Sequence, residues 1–145
     1  MEYREKFEGW LSNPYFDENT KDELRSIAED DNEIKERFYK DLEFGTAGLR
    51  GIIGAGTNRM NIYMVRKATQ GLANYLNKQG GKKSVAISYD SRIKSDVFAR
   101  EAARVLAGNG VKAYLYKELM PVPALSFATR HLHCDAGIMV TASHN

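Results

Sequence analysis

The chain has 145 residues, a length that suits one domain with a sizeable buried core. Its 21 basic and 19 acidic residues nearly balance, which gives no support for a nucleic acid or an anionic membrane as partner. A single cysteine excludes an internal disulfide and favours a reducing, cytoplasmic setting. The first residues mix both charges, unlike a signal peptide, and no apolar run reaches the roughly 20 residues of a membrane span.

The first 43 residues predict a helical N-terminal extension. Their apolar side chains recur at helical spacing and indicate docking faces that carry no chemistry. These side chains are Tyr3, Phe7, Trp10 and Leu11 in one helix and Ile34, Phe38 and Leu42 in another. Thr20 and Glu23 form a capping-box pattern, which predicts that a helix begins at Thr20.

Residues 44–145 predict an α/β domain. After a glycine-rich stretch at 44–56, helical and strand patterns alternate, and this order predicts a mainly parallel sheet with helices on both faces. The glycine-rich stretch can add a strand or a hairpin, which leaves a mixed sheet open. The predicted helices run from an Asn61 cap to about Gln79, from a Ser95 cap to about Ala107 and from Pro123 to about His131. The predicted strands are 84–89, 111–116 and 136–140.

Polar side chains follow the predicted strands at the edge where parallel sheets bind ligands. The three loops bring Asp90, Arg92, Lys117, Ser143 and His144 to this one rim. A serine hydroxyl needs a base, a metal or a strong field to act as a nucleophile. Because the GxSxG pattern is absent, a serine hydrolase is weakly supported. For Asp90 and Arg92, a salt bridge that shapes the loop is the alternative to a role in chemistry.

The segment GTAGLRG at 45–51 is a candidate phosphate site. Small residues expose backbone N–H groups and allow a phosphate to approach closely. Arg50 lies between glycines and has room for bidentate contacts with phosphate oxygens. A tight turn with a solvated surface arginine is the alternative, since neither a Walker A loop nor a Rossmann fingerprint is present.

Four segments in this order resemble the α-D-phosphohexomutases, the family of phosphoglucomutases and phosphomannomutases. They are EFGTAGLRGIIGAGTNRMN (43–61), YDSR (89–92), PVPALSFA (121–128) and AGIMVTASHN (136–145). The GTAG spelling and the helical lead-in are most similar to the branch with bacterial phosphoglucomutases and phosphopentomutase-type enzymes. The resemblance implies an isomerase that moves a phosphoryl group between the C1 and a distal hydroxyl of a sugar phosphate, through a sugar bisphosphate.

The resemblance also implies roles for individual residues. Ser143 carries the phosphate, and one Mg²⁺ binds to it. Arg50 contacts phosphate, and His144 is an active-site neighbour that can take part in proton transfer. Thr46 and Asn145 are implied as further phosphate or substrate contacts. The partners are then sugar phosphates and a sugar bisphosphate.

The family pattern continues beyond TASHN, and its metal, sugar and distal-phosphate loops belong to later domains. We therefore expect an N-terminal piece of a longer enzyme, cut inside its first domain and inactive alone. An alternative of another class is a non-catalytic module that binds sugar phosphates or a partner. In either case an exposed strand edge can support self-association.

Overall fold

The computed structural model describes residues 2–44, 48–90, 94–117 and 135–143, which form helices and strands in alternation after an all-helical start. The elements are α1 (Glu2–Ser12), α2 (Glu18–Ser26), α3 (Asp31–Phe38), β1 (Leu49–Ile52), α4 (Ile62–Lys78), β2 (Ser84–Tyr89), α5 (Ser95–Gly108), β3 (Lys112–Lys117) and β4 (Ala136–Ser143). The predicted α/β class is confirmed. The helix predicted from Pro123 lies outside the described residues.

The N-terminal helices dock through the predicted apolar stripes. Phe7, Trp10 and Phe38 are all buried. The ring of Phe38 meets Phe7 edge-on at 5.9 Å between centroids and Trp10 at 5.6 Å. Edge-to-face contacts of this kind add to the free energy of apolar burial. The stripes are therefore structural faces, as the spacing predicted.

The start of α2 differs from the prediction. Asp17 is the N-cap, and its Oδ1 accepts a hydrogen bond from the backbone N–H of Thr20 at 2.7 Å. Thr20 lies inside the helix, and the carboxylate of Glu23 accepts instead from the backbone N–H of Ala55 at 2.8 Å. The prediction was wrong because Asp17, three residues earlier, is an equally good cap and begins the helix sooner.

Asn61 caps α4 as predicted, whereas Ser95 does not cap α5. The Asn61 side chain accepts from the backbone N–H of Met64 at 3.0 Å. Ser95 is the first residue of α5, and Lys94 precedes it with φ 70° and no side-chain capping bond. The prediction for Ser95 was wrong because its hydroxyl bonds to Asp90 and to the backbone N–H of Ala142, 47 residues away, instead of capping the first turn of α5.

The four described strands form one parallel sheet in the order β1-β4-β2-β3. The glycine-rich stretch supplies β1 as a parallel edge strand, so the described sheet is not mixed. β4 ends at Ser143 rather than at Val140, because its pairing with β1 continues after its pairing with β2 has ended. β4 therefore lies between two strands, and the edges of the described sheet are β1 and β3.

One buried apolar cluster joins the N-terminal helices to the sheet. It extends from Phe7 and Phe38 to Val85 and Ile87 of β2 and Val140 of β4. α5 packs against β2, β3 and β4. The division at residue 43 into an extension and a domain stays a prediction.

Candidate functional site

The carboxyl ends of the parallel strands meet at one edge of the sheet, as the topology predicted. Asp90 follows β2, Lys117 ends β3, and Ser143 ends β4. Because β2 lies between β4 and β3, Lys117 is two strands away from Ser143. Arg92 and His144, the other residues predicted at this edge, lie outside the described residues.

Ser143 belongs to the last strand, although the sequence predicted a loop there. Its carbonyl oxygen accepts a hydrogen bond from the backbone N–H of Ile53 at 2.8 Å. Its hydroxyl is half-buried and donates to the carbonyl oxygen of Gly51 at 3.3 Å. Both the backbone and the hydroxyl of Ser143 are thus tied to the segment that includes and follows β1.

The opposite side of β4 is held by a side chain from α5. The Ser95 hydroxyl accepts a hydrogen bond from the backbone N–H of Ala142 at 3.3 Å and donates to Asp90 Oδ1 at 2.8 Å. Ser95 is fully buried. The strand order predicted Asp90 at this edge, but its bond to Ser95 was not predicted. The only local signal is that Ser95 opens a helix five positions after Asp90.

Arg50 lies on the same face of the sheet as Ser143. It pairs in register with Thr141, and side chains two residues apart on a strand share a face. Strand rise and spacing put the Cα atoms of Arg50 and Ser143 about 8 Å apart. The Arg50 side chain is exposed, so a negatively charged group can reach its guanidinium. The other predicted phosphate contacts, Thr46 and Asn145, lie outside the described residues.

The glycine-rich segment enters β1 through a position that requires glycine. Gly48 has φ 105°, in the left-handed region. A Cβ atom there would overlap the backbone carbonyl and N–H of Met139 in β4. The small residues of this segment suggested a phosphate site from the sequence. At Gly48, close packing against the backbone of β4 is a structural reason why the residue is small.

An ion pair joins the N-terminal helices to the loop that follows β1. The Glu23 carboxylate accepts from the Arg37 guanidinium, which also donates to the Ala55 carbonyl at 3.0 Å. Burial raises the pKa of Glu23, but the N–H of Ala55 and the charge of Arg37 outweigh burial and lower it below its ordinary value. No short-range pattern predicts this contact, because Glu23 and Ala55 are 32 residues apart.

A cavity of about 450 Å³ lies between α2, the loop after β1 and the start of α5. Its lining includes Glu23, Asn61, Lys94 and Phe98, so it mixes charged, polar and apolar groups. Within the described ranges, no group of three or more His, Cys, Asp or Glu side chains could hold a metal ion. Among the helices described, none is long and apolar enough to cross a membrane.

Comparisons with known proteins agree on one family. Residues 41–145 match the family model described as phosphoglucomutase/phosphomannomutase, alpha/beta/alpha domain I. A phosphoglucomutase of Staphylococcus saprophyticus is 50% identical over 104 residues, which cover 72% of this chain and 19% of the relative. A phosphoglucomutase of Staphylococcus aureus is 46% identical over 115 residues, which cover 79% of this chain and 21% of the relative. The chain thus spans about a fifth of the length of these relatives. No solved structure matches it significantly.

Proposed function

The chain belongs to the phosphoglucomutase/phosphomannomutase family, and on that premise we propose that it supplies the phosphoryl-carrying serine, Ser143, of a phosphosugar mutase. Such an enzyme interconverts sugar 1-phosphates with 6- or 5-phosphates through a bisphosphate. The observation that carries the proposal is the position of Ser143 at the carboxyl end of β4, the edge where parallel sheets bind ligands. The name of the relatives, phosphoglucomutase, supports a glucose phosphate as substrate.

In the proposed cycle, a free hydroxyl of the sugar monophosphate attacks the phosphorus carried by Ser143. The Oγ–P bond breaks as the new bond to the sugar oxygen forms, the hydroxyl proton passes to Ser143 Oγ, and the sugar becomes a bisphosphate. Ser143 Oγ then attacks the phosphorus of the other phosphate. The new Oγ–P bond forms as the bond between phosphorus and the sugar oxygen breaks, and the hydroxyl proton of Ser143 ends on that oxygen. The hydrogen bond to the Gly51 carbonyl orients the hydroxyl before attack. We propose that His144 assists the proton transfer.

A phosphate on Ser143 brings nearly two negative charges, which the site must neutralise. Arg50 is a described cation on the same face of the sheet, one strand away from Ser143, and its exposed guanidinium suits bidentate contacts with phosphate oxygens. Thr46 and Asn145 are proposed as further contacts to the phosphates.

We further propose Mg²⁺ as the metal of the whole enzyme. Mg²⁺ prefers hard oxygen ligands, and the oxygens of a serine phosphate are of this kind. Ser143 is only half-buried, so a phosphate on it stays open to a cation. The chain would then bind Mg²⁺ through that phosphate, and the bound ion would stabilise charge during transfer.

The decisive experiment replaces Ser143 in the full-length enzyme that we propose contains this chain. Ser143→Ala removes the phosphate carrier and is expected to abolish mutase turnover and the added mass of one phosphate in intact mass spectrometry. The matched control is Ser84→Ala, because Ser84 begins β2 at the opposite edge of the sheet. Wild-type turnover in Ser143→Ala, or phosphate mapped to another side chain, would refute the proposal.

The 145-residue chain alone is expected to show no turnover, since the part of it that matches the relatives covers only about a fifth of their length. A coupled assay that detects glucose 6-phosphate formed from glucose 1-phosphate tests this directly, and turnover above a Ser143→Ala blank would contradict it. A cytoplasmic location and self-association through an edge strand remain predictions. Sedimentation of the chain tests the latter, and a monomer at all concentrations would exclude it.

A further inference from the structure

β4 extends past the end of its neighbour. β2 ends at Tyr89, which lies opposite Val140, whereas β4 continues to Ser143. The carbonyl of Ser143 faces β1, where it accepts from Ile53. Because successive residues of a strand direct their backbone groups to opposite edges, the N–H of Ala142 faces the side of β2, where the strand has ended. Ala142 is buried, so without an acceptor this N–H would destabilise the fold.

The hydroxyl of Ser95 supplies the missing acceptor. It lies 3.3 Å from the nitrogen of Ala142 and donates its own hydrogen to Asp90 Oδ1 at 2.8 Å. A hydroxyl can accept and donate at once, which neither an alanine nor a valine could do. Asp90 directly follows β2 and Ser95 begins α5, so the two side chains connect three elements at the functional edge.

We propose that Ser95 and Asp90 are positioning residues for Ser143, an inference that rests on the proposed role of Ser143 as phosphoryl carrier. The Ser95 hydroxyl fixes the N–H of Ala142 from the side of β2, and Ile53 fixes the carbonyl of Ser143 from the side of β1. The backbone that carries the Ser143 hydroxyl is thereby held on both sides. Phosphoryl transfer depends on such placement, because small displacements of the attacking oxygen cost large factors in rate.

Hydrogen exchange in the 145-residue chain, followed by NMR, tests the contact itself. In Ser95→Ala we expect the Ala142 amide to exchange about tenfold faster, as the loss of one buried hydrogen bond predicts. Ser95→Thr keeps the hydroxyl and is expected to restore most of the protection. The matched control is Ser88→Ala, because Ser88 in β2 has a buried hydroxyl that finds no hydrogen-bond partner in the part of the chain described. It should leave the Ala142 amide unchanged.

Two results of this experiment would overturn the inference. One is an Ala142 amide that exchanges as fast as a free peptide in the wild-type chain, a measurement that requires no variant to fold. The other is equal exchange in the wild type and in Ser95→Ala.

Kinetics of the full-length enzyme separate positioning from mere stability. Ser95→Ala should lower kcat about tenfold or more, because the Ser143 hydroxyl is then misplaced. The KM for the sugar 1-phosphate should stay within about twofold of the wild type, because the sugar is still bound. Ser95→Thr should recover kcat, and Ser88→Ala should match the wild type. An equal loss of kcat in Ser88→Ala would overturn the inference. Failure of the proposed function is distinct, because it appears as turnover retained in Ser143→Ala.

Discussion

Gly48 shows at the scale of one residue why the glycine-rich segment cannot be replaced freely. Its φ of 105° is costly for any side chain, and a Cβ would overlap the backbone of Met139. We expect Gly48→Ala to lower the free energy of unfolding by about 1–3 kcal/mol, measured by urea denaturation. Unchanged stability would show that β4 does not pack on this glycine.

Gly71 provides the matched control. It lies in the middle of α4, is exposed, and a Cβ there would meet nothing within 4 Å. Alanine is favoured over glycine inside a helix by up to about 1 kcal/mol, so Gly71→Ala should stabilise the chain. The same substitution thus has opposite expected signs at two positions of one chain.

Residue positions could be predicted from the sequence only where topology fixes them. The placement of Ser143 at the carboxyl edge follows from strand order, and the structure has it there. The contact between Ser95 and Ala142 could not be predicted, because the two residues are 47 positions apart. A local pattern can predict a helix cap at Ser95. It cannot predict the tertiary packing that brings β4 within hydrogen-bonding distance of the Ser95 hydroxyl.

At the scale of elements, Asp17 determines where α2 begins. Its carboxylate accepts a hydrogen bond from the backbone N–H of Thr20. Hydrogen bonds from the side chain and the backbone of Thr20 lower the pKa of Asp17 below its ordinary 3.8. We expect Asp17→Ala to lower the free energy of unfolding by about 1 kcal/mol at pH 7. Because the native pKa is the lower one, this contribution is full above pH 3.8 and declines as the pH falls through the native value.

Asp17→Asn separates the cap from the charge. The amide keeps an oxygen acceptor but does not titrate, so its effect on stability should be nearly constant between pH 7 and pH 2. Denaturation curves at both pH values measure the difference from the wild type. An Asp17→Ala effect that stays equal at pH 7 and pH 2 would show that the ionised carboxylate is not the capping group.

Elements with strong periodicity were predictable, whereas for β1 the sequence left a strand or a hairpin open and did not fix its bounds. The bounds of α4 and β2 agree with the prediction. The signals that predicted them lie within or next to each element: an N-cap, an apolar stripe and a glycine stop for α4, and a short apolar run for β2. β1 is a four-residue strand with a glycine inside it, which has weak strand propensity. Its pairing with β4 specifies it, and that pairing joins residues about ninety positions apart, such as Leu49 and Val140.

At the scale of the whole molecule, the shared core predicts that the N-terminal helices and the sheet unfold together. Phe38 is fully buried in the cluster that also contains Val85 and Ile87. Phe38→Ala is expected to lower the free energy of unfolding by about 3–5 kcal/mol. If the core is one cooperative unit, hydrogen exchange of the β2 amides should accelerate to the same extent as that of α3.

The neighbouring residue serves as the control. Tyr39 follows Phe38 directly but is 51% exposed. Tyr39→Ala should change the free energy of unfolding by no more than about 0.5 kcal/mol. Exchange in β2 that is unaffected by Phe38→Ala would show two independently folding parts and would support a boundary near residue 43.

The central position of β4 has a consequence for how the protein is made. During synthesis β1 and β2 leave the ribosome long before residues 136–143, yet among the described strands they meet only through β4. A nascent chain therefore carries unpaired strand edges until β4 inserts between β1 and β2, which makes folding slow and dependent on distant contacts. Chaperones that shield such edges would act on this protein mainly before that insertion.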